Sequence, residues 1–356
     1  MFDCVIVGGG PAGSTSACIL RENGLNILLI DKHNFPRKKT CAGSISCKAF
    51  PHLPLGWEKT IERKIKGAIV EYKEKRVIGY TKDIIAVTVN REKFDGFLLE
   101  KAKERGVVFK NETLIDFHNE DPIYVKTNNN NYNCKFLILA DGAATVARRW
   151  KRNIEYLKAW QAPCTTTLPL IKELVISIGI AKHGYGWIFP QKKQALVGIA
   201  TKGENAFTLF KKYINENKLI YQLTDKPSFW LVPYPKNKDI VYGMGNCLFV
   251  GDALGLTNPL SGEGIYYALH SGEKAAHSIL EEKNIIKAYK NKLAETMDEF
   301  LWCRRLADVI THAQHFSFHS LKKKHSLQSP LNFIKGNNSC KGIFLRLIKK
   351  MLLFNI

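Results

Sequence analysis

Gly8, Gly10 and Gly13 stand at the spacing G-x-G-x-x-G, directly after the apolar run Cys4-Val5-Ile6-Val7. That pattern does phosphate chemistry. The first glycine makes a tight turn, the second leaves room for a pyrophosphate, and the third lets a helix pack closely on a strand. A helix opened by Pro11 and Ala12 offers unpaired N–H groups and a partial positive charge to the phosphates. Asp31, about twenty residues further on, is an acceptor for ribose hydroxyls. These residues ask for a dinucleotide and leave FAD and NAD both open. Two more acid–glycine pairs follow, Asp141-Gly142 and Gly251-Asp252, and a loop Asn258-Pro259-Leu260-Ser261-Gly262-Glu263-Gly264.

The elements that must position these residues are legible. A buried strand precedes the glycine turn, a helix runs through Leu20, and a second strand, Asn26 to Ile30, ends on Asp31. Lys32 to Ser44, with Pro36 and Gly43, is a loop on the ligand-binding edge of an open α/β sheet. Gly67 to Val89 is extended. Asn90 opens a helix with Phe94, Phe97, Leu98 and Ala102 on one face. Ile123 to Thr127 and Tyr132 to Ala140 flank four asparagines and read as a hairpin, because asparagine tolerates positive φ. Its second strand turns fully apolar and ends on Asp141, so it enters the core sheet. Residues 151 to about 235 are mainly strand and turn. Cys247 to Val250 is another buried strand, and a helix spans Ile265 to about Glu281. Three acid–glycine or glycine turns therefore close apolar strands, and in one parallel sheet they share an edge.

This ordered set resembles the FAD-dependent oxidoreductases of the para-hydroxybenzoate hydroxylase-like fold, and within them the geranylgeranyl reductase family. The resemblance is carried by Gly8 to Ser14, Pro36-Arg37-x-Lys39-x-Cys41-x-Gly43, Arg91-x-x-Phe94-Asp95, Asp141-Gly142-Ala143, Tyr185-x-Trp187-x-Phe189-Pro190 and Gly251 to Ile265. Ala42 departs from the glycine usual in that family. The resemblance implies an α/β chain: a Rossmann-like FAD-binding domain (1–60, 85–150 and 240–285), an inserted, mainly antiparallel substrate domain (61–84 and 151–239) and a helical basic tail (286–356). It implies FAD contacts from Gly8, Gly10, Pro11, Ala12, Gly13, Asp31, Lys32, Arg37, Cys41, Ala42, Arg91, Asp141, Gly142, Gly251, Asp252, Pro259, Gly262, Gly264 and Ile265. Asp252 suits the ribityl hydroxyls. The N–H groups and dipole of the Asn258–Gly264 loop suit the charge of reduced flavin at N1 and O2. Arg91 reads as a phosphate or adenine contact, or as a solvated helix-start arginine.

Tyr185, Trp187, Phe189 and Pro190 are the expected substrate wall, and the implied substrate is an isoprenoid chain or another apolar molecule. Reduction of its C=C bond takes a hydride from flavin N5 and a proton. Cys41 and Tyr185 are the available acids, and Cys41 also reads as a small buried residue. Gly243-x-Gly245 lacks a third glycine and a helix, so NAD(P)H binds transiently or a protein delivers the electrons.

Lys and Arg total 53 against 32 Asp and Glu, a formal +21, which favours anionic partners. No basic stripe with interleaved aromatics is present, so nucleic acid is not expected. Lys341 to Phe354 groups Arg346, Lys349 and Lys350 on one helical face. That suits an anionic membrane surface or a helix docked on the body, and Lys322-Lys323-Lys324 adds charge. His312, His315 and His319 would share a helical face, but no partner ligand accompanies them, so no metal is expected. The scattered cysteines form no C-x-x-C and fit a reducing compartment. With no apolar run long enough to span a bilayer and a fold beginning at residue 2, the expectation is a cytoplasmic monomer, peripheral on a membrane if the tail binds lipid. The rival readings are a flavin monooxygenase or halogenase of the same fold, and a non-catalytic flavin-containing membrane-associated protein. Halogenases carry a second tryptophan where Tyr185 stands.

Overall fold

The structure is a computed structural model describing residues 1–150, 153–166, 171–217, 221–281, 283–321 and 327–353. Four apolar runs, Phe2–Val7, Ile27–Asp31, Asn131–Leu139 and Cys247–Phe249, form the parallel centre of one sheet. Val5, Ile6, Leu28, Leu29, Leu137 and Ile138 are fully buried, which is why these strands read as continuous rather than alternating apolar runs. Val7 lies opposite Ile30 and Leu139, and Leu139 opposite Phe249. The strands therefore stop in line. Gly8, Asp31, Asp141 and Gly251 emerge from one edge, as the sequence motifs require. The helix Pro11–Glu22 packs on the helix Ile265–Glu281, where Ser16 Oγ donates to the Gly272 carbonyl at 2.9 Å.

The asparagine hairpin is present, with Ile123–Thr127 antiparallel to Asn131–Leu139. A second sheet of eight strands carries Gly67–Tyr72, Lys75–Tyr80, Ile154–Thr166, Leu174–Ile178, Gly184–Pro190, Ala195–Thr201, Tyr221–Leu223 and Ser228–Pro235. It is antiparallel except where Leu174–Ile178 meets Gly67–Tyr72. Ile61–Ile65 joins Ser44–Ser46 and Ala86–Val89 in a separate three-stranded sheet.

The region 151–235 is mainly strand and turn, as read, but it also carries a helix that the reading did not name. Ala206–Glu216 is a helix capped by Asn205, whose Oδ1 accepts from the Thr208 N–H at 3.1 Å. Ala206, Phe210, Tyr213 and Ile214 are its buried face, at helical spacing. A correction concerns the cysteines, since Cys303 and Cys340 form a disulfide. It fastens the helix Cys340–Leu353 to the helix Ala294–His312. Glu299 lies with this pair in a potential ligand cluster, but sulfurs bonded to each other do not ligate a metal.

The tail helix docks on the body. Leu347 is buried beside Cys303 and Leu306, and Arg346 donates to Ser329 Oγ at 2.7 Å. Leu345 and Lys349 stay exposed. Lys322, Lys323 and Lys324 lie outside the described residues, as does Phe354. The three histidines do not share one helical face, because His312 closes the helix Ala294–His312 and His315 and His319 lie on the next, Gln314–Leu321. Among the described residues no helix is long and apolar enough to cross a membrane.

Candidate functional site

The glycine turn divides its labour. A Cβ on Gly13 would overlap the Gly8 carbonyl oxygen, and one on Gly8, where φ is +109°, would overlap that of Ala140. Those two glycines are demanded by the fold itself, and Gly13 lies beneath the cavity wall. Gly10 is different: a Cβ there would meet only Arg37 Nη2, at 3.5 Å. Its freedom serves a group that must come close. Pro11 and Ala12 face the same space. Asp31 is nearly buried and already holds the turn: its Oδ2 accepts from the Gly9 N–H at 2.8 Å and its Oδ1 from His33 N–H at 2.9 Å. It faces the cavity with its remaining acceptor capacity, and Lys32 stands exposed on the rim. Arg37 lies over the Phe35 ring at 4.8 Å and 3.5 Å from Asp95. Its Nε is buried without a hydrogen-bond partner among the described residues. Arg37 is ion-paired with Asp31 and Asp95 at 3.9 and 3.5 Å, but its Nε still lacks a hydrogen-bond acceptor, and beside a glycine backbone that admits close approach a diphosphate would supply one. The residues fit FAD.

Arg91 is not solvated. It forks onto Asp95 with two bonds of 2.8 Å, and both side chains are buried. Burial works against its charge, and the Asp95 carboxylate more than offsets that. We expect Arg91→Met to lose about 3–5 kcal/mol in chemical denaturation, because it strands a buried carboxylate; an unchanged midpoint would show that Arg37 alone satisfies Asp95. Cys41 accepts from the Gly43 N–H at 3.4 Å, and Cys41 and Ala42 both face the cavity. Lys39, two residues before Cys41, was not among the expected site residues. Its Nζ stands 3.0 Å from the centre of the Trp230 ring and is buried with no hydrogen-bond partner among the described residues. The signal was its place inside the Arg37–Gly43 loop motif.

At the other end of the edge, Asp141 Oδ2 accepts from the Val146 N–H at 2.8 Å. Gly142 and Asp252 face the cavity, and Asp252 Oδ1 accepts from Thr257 Oγ1 at 3.4 Å. The Asn258–Gly264 loop uses most of its own N–H groups. Buried Asn258 accepts from Leu260 and Ser261 at 2.9 and 3.1 Å, Gly262 donates to the Asn258 carbonyl at 2.9 Å, and Glu263 donates to Ser261 Oγ at 3.3 Å. Among the described residues, the N–H groups of Gly264 and Ile265 keep no partner. These two, at the start of the helix Ile265–Glu281, are what can face an anionic ligand. The loop as a whole is not the donor set that the sequence suggested.

Tyr185 donates its hydroxyl proton to the Ser261 carbonyl at 2.9 Å, and a Cβ on Gly262 would overlap it. Burial pushes the phenol pKa up. Tyr185 thus ties the second sheet to the loop, and its proton is already engaged. One continuous cavity of about 1430 Å³ runs from the glycine turn, past Cys41, Pro259 and Trp187, along Leu157, Ile176 and Phe189. Its far end is built by Leu331, Ile343 and Leu347 from the C-terminal helices, a role the tail's amphipathic pattern did not announce. Pro190 is outside the wall; its carbonyl accepts from Thr88 Oγ1 at 2.7 Å and joins two sheets.

Comparison with known proteins agrees with this geometry. The FAD binding domain family matches residues 1–155. An uncharacterised protein of Methanosarcina barkeri is 32% identical over 78% of this chain and 74% of its own length. A menaquinone reductase of Mycobacterium tuberculosis is 27% identical over 87% of this chain and 84% of its own. A digeranylgeranylglycerophospholipid reductase of Methanosphaera stadtmanae is 28% identical over 82% and 78%. The solved structure of a geranylgeranyl bacteriochlorophyll reductase-like protein of Thermoplasma acidophilum superposes with a TM-score of 0.77, at 21% identity, over 87% of each chain. With its edge-aligned glycine and acid turns and these likenesses, the chain belongs to the geranylgeranyl reductase family of FAD-dependent oxidoreductases.

Proposed function

We propose that the chain reduces carbon–carbon double bonds of an isoprenoid chain. The observation that supports this most is that one cavity is lined both by the glycine turn and by Leu331, Ile343 and Leu347 of the C-terminal helices, with Leu157, Ile176 and Phe189 on its wall and Arg346 and Lys350 also bordering it. A polyprenyl chain offers no polar atoms and requires such a space. Relatives named for menaquinone and for digeranylgeranylglycerophospholipid reduction support the same substrate class.

Bound FAD, once reduced, supplies a hydride. The residues of the chain do the rest. Arg37, Gly10, Gly264 and Ile265 bind and orient the cofactor, while Trp187, Ile176 and Phe189 hold the substrate and exclude water. Of the two expected acids, Cys41 faces the cavity, whereas the Tyr185 hydroxyl is engaged in its hydrogen bond to the Ser261 carbonyl. Gly243–Met244 pairs with Cys247–Leu248 as a tight hairpin, so we propose transient NAD(P)H binding or a protein donor for the electrons.

Mass spectrometry of lipid carried through purification of the yellow protein tests the reading. Partly saturated polyprenyl lipid is expected. NAD(P)H-dependent oxygen consumption with a hydroxylated or halogenated product would overturn it in favour of the monooxygenase and halogenase chemistries found on this fold.

A further inference from the structure

Lys39 is the feature that the proposed reaction leaves unused. Its amine is taken out of water, has no hydrogen-bond acceptor among the described residues, and rests against an indole face. An unsatisfied buried amine is costly. Aromatic contact compensates a cation only in part. The indole N–H of Trp230 is likewise buried without an acceptor among the described residues. Two donors thus stand together, on residues that both line the cavity. What both lack is an acceptor-rich group beside them.

Their position says which group. Lys39 lies on the loop between Arg37, which borders Gly10, and Cys41. Trp230, from the strand Ser228–Pro235, comes within 4.0 Å of where a Cβ on Gly142 would sit. The charged and titratable groups that face the amine are Arg37 and Cys41 from its own loop, Arg91 from the helix Arg91–Glu104, and Asp252 from the Gly251–Ala253 turn. All of these belong to the cofactor side of the cavity. We propose that Lys39 is a second cationic ligand of the FAD diphosphate, beside Arg37, and that the Trp230 ring holds it in place for that contact. The inference rests on FAD being the cofactor.

A linkage follows. Burial lowers the Lys39 amine to about 7. A diphosphate beside it favours the ammonium and raises it again. Binding above that point takes up a proton, so affinity for FAD is full at low pH and falls as pH rises. A guanidinium does not titrate in this range and gives no such slope.

The test is the dissociation constant of FAD from the full chain, read by fluorescence of released flavin at pH 6 and pH 9. For the wild type it should weaken by between about tenfold and a hundredfold across that range. Lys39→Arg should bind well and change less than about threefold, because a guanidinium does not titrate there. Lys39→Met should bind weakly at both pH values, with no slope. ADP-ribose, which carries the diphosphate and no flavin, should compete with the same pH dependence as FAD. A flat wild-type profile, or a slope kept by Lys39→Met, would overturn the assignment. A slope for FAD with none for ADP-ribose would move the contact to the flavin ring and overturn the diphosphate claim. If the wild type retains no FAD at any pH, the cofactor assignment itself falls and takes this inference with it, an outcome distinct from FAD that binds without a pH slope.

Discussion

Gly10→Ala folds like the wild type and loses its FAD. Gly10 has φ −75° and ψ −175°, an extended conformation open to any residue. Its added methyl meets only Arg37 Nη2, at 3.5 Å, and the guanidinium is the far end of a flexible chain. Stability measured on the cofactor-free protein should therefore change by less than about 1 kcal/mol. The methyl instead occupies the space in which a pyrophosphate approaches the backbone. We expect the FAD dissociation constant to rise about a hundredfold, or roughly 2.7 kcal/mol. Gly13→Ala is the opposite case. Its methyl overlaps the Gly8 carbonyl oxygen, and backbone cannot swing aside, so helix and strand must part. That costs about 2–3 kcal/mol of folding stability as well as the cofactor. Denaturation curves with and without FAD separate the two effects. Equal loss of stability in both variants would contradict the division of labour within the turn.

Ile176→Trp is expected to keep FAD and lose long substrates. Ile176 lies on Leu174–Ile178 opposite Trp187. Strand alternation sends Val175 into the core under the helix Ala206–Glu216, and leaves Ile176 on the cavity wall with Trp187 and Ala159. An indole there narrows the passage between the flavin end and the far apolar end. Catalytic efficiency with a geranylgeranyl substrate should fall about a hundredfold, while a short prenyl substrate should lose less than about threefold. The flavin absorbance spectrum should be unchanged. Equal loss for both substrates would mean that the chain does not extend along this wall.

The parts legible in the sequence were those with local signals. Glycine spacing, apolar runs ending on acids, and the helix from Ile265 follow from short-range stereochemistry and burial on both faces. The structure places them on one edge in register. Where the sequence misled, a local pattern was outvoted by tertiary contacts. Ala206–Glu216 carries its buried face at helical spacing, but long extended flanks masked it. Cys303 and Cys340 meet only because two helices cross. The loop at Asn258 reads as a row of free N–H groups until the Asn258 side chain and the Ser261 hydroxyl are seen to occupy them. Lys39 looks like one more surface lysine in a chain of formal charge +21. Only the cavity shows that its amine is buried and unsatisfied.

We propose a flavin-binding edge that opens directly into a chamber for an isoprenoid chain. The most direct measurement is anaerobic single turnover: the holoprotein is photoreduced, a geranylgeranyl lipid is added, and the oxidised flavin absorbance band and the lipid mass are followed together. The band should return without oxygen, and the lipid should gain two hydrogens for each flavin reoxidised. A band that returns only when oxygen is admitted, with the lipid unchanged, would contradict it.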